Sequence, residues 1–80
     1  MVQALKNVKT GLAAAGATMK DVARIEVYLV DYNSDKLPAY SAAMKQFFDL
    51  DHLPANTLLG VESLAFPELL VEVTAVAVLP

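Results

Sequence analysis

The C-terminal run from Leu69 to Leu79 constrains this chain more than any other feature, because nearly every residue in it is apolar. Read as a strand, it places Val71, Val73, Ala75, Ala77 and Leu79 on one face. Leu70, Glu72, Thr74, Val76 and Val78 fall on the other. Both faces need cover, and no Lys or Pro guards the strand edge before Pro80. Only 80 residues are present to supply that cover, and small domains bury a smaller share of their surface than large ones. The sequence contains no Cys and one His, His52, so neither disulfides nor a structural zinc site can reinforce a small core. The expectation is that this strand lies centrally in its own sheet or is covered by a second copy of the chain.

The rest of the sequence supplies two helices and two more strands. Leu5, Val8, Leu12 and Ala15 recur at helical spacing within Val2–Ala15, and Gly16 follows where a C-cap glycine sits. Thr18-Met19-Lys20-Asp21 has capping-box spacing and predicts one helical turn. A strand is expected over Arg24–Tyr32, with Ile25, Val27 and Leu29 on a buried face and Glu26, Tyr28 and Val30 on a mixed one. Asn33-Ser34-Asp35 reads as a turn and N-cap cluster. With Asp35 as the cap, Pro38 falls in the first turn, where its missing N–H costs little. Leu37, Tyr40, Met44, Phe47 and Phe48 mark the apolar stripe of a second helix ending near Asp49. Asp51-His52-Leu53-Pro54 reads as a loop, Thr57–Ser63 as a short strand, and Phe66-Pro67-Glu68 as a turn before the final run. Strand–helix–strand followed by a strand makes a parallel crossover with an antiparallel neighbour, and both helices then cover one face. The fold class is α+β, one domain over residues 1–80.

Charge narrows the function classes. The net charge is −3, which disfavours a broad surface for nucleic acid. No run reaches membrane-spanning length, and the lysines of Met1–Gly11 lie inside an amphipathic pattern rather than ahead of an apolar block. A soluble, cytoplasmic protein without a membrane partner is the expectation.

Chemistry-bearing residues are few. No glycine-rich phosphate loop is present, and His52 with Asp49 and Asp51 makes a poor metal set, so neither a metal nor another cofactor is expected. Ser41, His52 and Asp49 lack the strained nucleophile turn that a hydrolase triad uses. Glu72 stands out as a carboxylate in mid-strand among apolar neighbours. Such a group is costly unless it is paired, solvated or at a pocket, and burial would raise its pKa toward acid–base use. Its alternative reading is a carboxylate on a solvated sheet face, opposite Asn56 or Thr57. Glu26 and Glu62 read as surface groups.

Several segments together resemble one family. Asn7-Val8-Lys9, Ala14-Ala15-Gly16-Ala17, Asp21-Val22 and Val27-Tyr28-Leu29-Val30-Asp31 belong to the match. So do Tyr40, Phe47-Phe48, Leu53-Pro54-Ala55, Gly60-Val61, Leu64 and Leu70-Val71-Glu72-Val73-Thr74-Ala75-Val76-Ala77. This string resembles the RidA/YjgF family, also called the L-PSP endoribonuclease family, over nearly the whole chain. The resemblance implies a chorismate-mutase-like mixed sheet with two helices on one face. It also implies a homotrimer whose small-molecule clefts lie between subunits.

Two departures accompany the likeness. Family members carry a three-strand section before the first helix, beside the last strand, so the chain reads as an N-terminally truncated, C-terminal part of the family fold. The family's imine deaminases also carry an Arg in a Pro-Ala-Arg segment, where it binds the carboxylate of a 2-imino acid. Here that segment is Leu53-Pro54-Ala55-Asn56-Thr57. By resemblance Glu72 matches the pocket carboxylate that positions the hydrolytic water, and Asn56 with Thr57 stands on the substrate side. A charge-assisted hydrogen bond contributes about 1.5–3 kcal/mol and a neutral one about 0.5–1.5, and Asn offers no fork in place of the guanidinium. Weak or lost deaminase activity is therefore expected. The alternative is a non-catalytic module that binds a small molecule or a protein. RNA cleavage is disfavoured by the acidic balance, the single Arg24 and the single His52.

Overall fold

A computed structural model of the chain describes residues 1–79; Pro80, the residue expected to close the last strand, lies outside them. Five main elements follow in order: α1 (Val2–Ala14), β1 (Val22–Val30), α2 (Leu37–Phe47), β2 (Ala55–Val61) and β3 (Val71–Ala77). Single 3-10 turns over Met19–Asp21, Ser34–Lys36 and Leu50–His52 join them. The sheet order is β2-β1-β3, with β1 parallel to β2 and antiparallel to β3. This is the expected α+β architecture, a mixed sheet with both helices on one face.

Local chemistry accounts for the ends of the elements. Gly16 has φ 81°, and its N–H donates to the Ala13 carbonyl while the Ala17 N–H donates to that of Leu12 at 2.8 Å. That pair of bonds is a Schellman closure, which needs the left-handed backbone that glycine adopts without a Cβ penalty. The Thr18 N–H donates to Asp21 Oδ2 at 2.9 Å, so the expected capping box forms and turns the chain into β1.

Other boundaries move. The first strand runs Val22–Val30 rather than Arg24–Tyr32, because Asp31 takes a positive φ of 56° and ends the extended run. Asn33, not Asp35, is the capping side chain: its Oδ1 accepts from the Asp35 N–H at 2.9 Å and holds a 3-10 turn ahead of α2. Pro38 still lies in the first turn of α2. The expected loop after that helix begins with a turn of its own, in which Asp49 Oδ1 accepts from the Asp51 N–H. β2 starts two residues earlier than expected, at Ala55, and ends at Val61, two residues short of Ser63.

The last strand spans Val71–Ala77 rather than Leu69–Leu79, although backbone bonds from the Val30 N–H to Leu70 and from the Val78 N–H to Asp21 prolong its pairing. It is not central. β1 takes the middle, because it alone pairs on both sides, and β3 forms one margin of the sheet.

The register sorts the side chains by face. Ile25, Val27 and Leu29 stand level with Ala75, Val73 and Val71, and Val27 with Leu58 of β2. These residues face the helices. Leu5 from α1, Met44 from α2 and Phe48 just after it complete a single core, in which Leu5, Ile25 and Val27 are 0% exposed. The other face carries Arg24, Glu26, Tyr28, Leu59, Glu72, Thr74 and Val76, and none of the described elements covers it.

Candidate functional site

The two faces of the sheet divide the residues singled out from the sequence. Asn56 pairs with Ile25, on the helix side, whereas Glu72 pairs with Tyr28, on the open side. Side chains of a strand alternate between faces, so Asn56 and Glu72 point to opposite sides of one sheet. Thr57 is level with Glu26 and shares the open face with Glu72. Two strand spacings and the register offset put the Thr57 and Glu72 backbones about 12 Å apart. Glu72 does not stand opposite Asn56 or Thr57, because β1 lies between β2 and β3.

Glu72 is exposed within the chain. Beside it, a polar ladder runs along β1. The Tyr28 hydroxyl donates to Glu26 Oε2 at 2.6 Å, and Arg24 Nε lies 3.5 Å from Glu26 Oε1. The carboxylate of Glu26 accepts the phenol proton and so holds the Tyr28 pKa above its ordinary value of 10.0; partial burial and the nearby charges of Glu26 and Glu72 act in the same direction. The open face therefore presents two carboxylates and a firmly protonated phenol next to Thr57 and Thr74. A phenol that keeps its proton donates hydrogen bonds, and an exposed carboxylate accepts them, so this surface can hold and orient water or a small polar ligand. Its neighbours are apolar: Leu59 is 48% and Val76 46% exposed.

Asn56 has a different environment. Its Oδ1 accepts from the Tyr40 hydroxyl at 3.0 Å, and its Nδ2 donates to the Pro54 carbonyl at 3.2 Å. The side chain thus ties the start of β2 to α2. Tyr40, half-buried in the apolar stripe of α2, has its pKa raised by that burial. Nothing in the sequence announced the Tyr40–Asn56 bond, which joins residues 16 positions apart. The Glu26–Tyr28 pair was legible in principle, since residues two apart on a strand share a face.

His52 is exposed at the end of the Leu50–His52 turn, and Asp49 spends an oxygen on capping that turn. Ser41 lies exposed on α2. Among the described residues, no three His, Asp or Glu side chains gather at one place. Among the described residues, no helix is long and apolar enough to cross a membrane.

Comparison with known proteins agrees with this architecture. Residues 1–79 match the family model described as Endoribonuclease L-PSP. Over 62 residues the chain is 36% identical to a 2-iminobutanoate/2-iminopropanoate deaminase of Dermatophagoides farinae, covering 78% of this chain and 46% of that protein. Among solved structures, the Rid-family protein YyfB of Yersinia pestis is 41% identical with a TM-score of 0.88, over 94% of this chain and 56% of that one. A YjgF/YER057c/UK114-family protein of Mycobacterium tuberculosis is 29% identical with a TM-score of 0.84, over 98% and 64%. The chain thus spans about half to two-thirds of the length of these relatives. With a family model matched from end to end of the described chain and a fold shared with solved members over nearly all of it, this protein belongs to the L-PSP endoribonuclease family, the RidA/YjgF group.

Proposed function

We propose that the chain contributes to a small-molecule pocket of the imine-deaminase type, formed between subunits of a homo-oligomer, and that its turnover of 2-imino acids is weak or lost. In a competent pocket Glu72 takes a proton from water as the water oxygen attacks the imine carbon. The carbinolamine then expels ammonia and leaves a 2-oxo acid, so imine plus water gives ketone plus ammonia. The likeness to a named imine deaminase supports this reaction class.

One observation carries the proposed weakness. The position that would grip the substrate carboxylate holds Asn56, and its amide is already bonded on both sides, to Tyr40 and to Pro54. A neutral amide engaged in this way offers a carboxylate little, while an Arg offers a charged fork. Self-association is supported by the open sheet face, where Leu59 and Val76 lie exposed, and by the exposed Leu70 just before β3. A trimer is the assembly implied by family likeness. Because Glu72 and Asn56 face opposite ways in one chain, a pocket that uses both draws them from different subunits.

The test is ammonia release from 2-iminobutanoate, generated in the assay, by the wild-type chain and by Asn56→Arg. The wild type is expected at background and the variant above it, with sedimentation confirming the same assembly for both. A clear wild-type rate refutes the proposed role of Asn56. A second reading, a non-catalytic binding module, is favoured by the same occupied amide. Soaking with small carboxylates and small amides separates the two: a carboxylate held against Asn56 favours the enzyme, and a neutral amide alone favours the module.

A further inference from the structure

The helix side of the molecule holds a groove between the second half of α1 and the end of α2. Its volume is about 830 Å³, within the range of ordinary small-molecule sites. Its floor is apolar: Met19 and Phe48 are buried and Phe47 is half-buried. Lys9 and Lys20 stand at its walls. A smaller hollow of about 440 Å³ shares Lys9, Met19 and Phe47 with it and adds Lys6.

The charge here runs against the rest of the chain. Lys6, Lys9, Lys20 and Asp49 together carry +2, while the chain as a whole is −3, which leaves −5 on everything else. Among the described residues Arg24–Glu26 is the ion pair present, so the three lysines have no carboxylate within salt-bridge distance. Asp49, the acidic residue of the lining, already caps the turn below it. Lys9 and Lys20 come from different elements, α1 and the Met19–Asp21 turn, and line one groove with Phe47 and Phe48. Unpaired cations around such a floor match a molecule with a negative head and an apolar body.

We propose that this groove is a second ligand site, distinct from Glu72 and Asn56, for an amphipathic small-molecule carboxylate. The apolar body lies on Met19, Phe47 and Phe48, and the carboxylate sits between Lys9 and Lys20. Lysine ammonium groups act as mobile point charges, so the site selects for charge and apolar length rather than for a rigid head-group shape. The assignment does not depend on the deaminase reading, because neither Glu72 nor Asn56 lines this groove.

An amide-resolved NMR titration of the full chain with octanoate tests it. Saturable shifts are expected at Lys9, Met19, Lys20, Phe47 and Phe48, with affinity falling several-fold between low and moderate salt. The neutral isostere octanamide is expected to bind at least tenfold more weakly. The double variant Lys9→Gln/Lys20→Gln, altered at two exposed positions, is expected to keep the fold and lose tenfold or more of the octanoate affinity. Equal binding of octanoate and octanamide overturns the proposal. So do shifts confined to the open sheet face, or an unaltered affinity in the double variant. Binding to vesicles of anionic lipid without a saturable response to octanoate assigns the groove to a membrane surface instead and likewise overturns it.

Discussion

One sheet carries two unlike faces. On the helix side Ile25 and Val27 are 0% exposed and lock with Leu5 and Met44 into the core. On the other side, the same strands leave Leu59 at 48% and Val76 at 46% exposure. The apolar residues of the two faces hardly differ in type; the presence of a covering layer does. Burial is therefore set by topology rather than by hydropathy, and the chain's own stability must come almost entirely from the helix side. The open face is available for work that one copy of the chain does not perform.

The contrast breaks most readily at its buried end. Ile25→Ala is expected to cost about 2–5 kcal/mol, the range for deleting an aliphatic side chain from a tight core. Urea denaturation should show most of the stability of so small a domain removed. Gly60→Ala comes next. A Cβ at Gly60 would lie 2.9 Å from Tyr32 Cβ, a backbone-anchored atom that cannot swing away. An overpacking cost of about 1–3 kcal/mol is expected in the same assay. On the open face, Val76→Thr should change unfolding at low protein concentration by less than about 0.5 kcal/mol while weakening any self-association seen by sedimentation. A loss comparable to that of Ile25→Ala would mean that the two faces do not differ in the way described.

The smallest effect reads charge rather than packing. Tyr28 and Tyr40 both have folded-state pKa values above 10.0. Raised values mean that the folded state holds the phenol proton more tightly than the unfolded state does. The associated stability is complete below pH 10 and fades as pH climbs through the folded values. Glu26→Gln removes both the carboxylate acceptor and its charge, so the Tyr28 titration followed by ultraviolet absorbance should move down toward its ordinary value. No movement would show that the Glu26–Tyr28 bond does not operate in solution.

Much of the fold was legible because its signals are local. The α1 stripe, the glycine after it, the Thr18–Asp21 box and the alternation of β1 each act within a few residues. Strand boundaries shifted where backbone geometry intervened, as at Asp31, or where a neighbouring strand dictated the pairing, as at Ala55. The position of β3 was not legible, because apolarity on both faces suits a central strand and an uncovered marginal one equally well. For the candidate site, the sequence singled out Glu72, Asn56 and Thr57 but not their arrangement. The parity that sends Glu72 and Asn56 to opposite faces depends on register across three strands. The Tyr40–Asn56 bond depends on how α2 packs, and no spacing rule encodes it.

The central place of β1 has a consequence for how the molecule comes apart. Its nine residues hold both ladders of the sheet, one parallel and one antiparallel, and also the middle of the core. Releasing either margin leaves a two-stranded ribbon, which is at best marginal by itself. Loss of β1 leaves no sheet at all. Amide protons of β1 should therefore exchange last and together, at the free energy of complete unfolding, whatever the order in which the outer strands open.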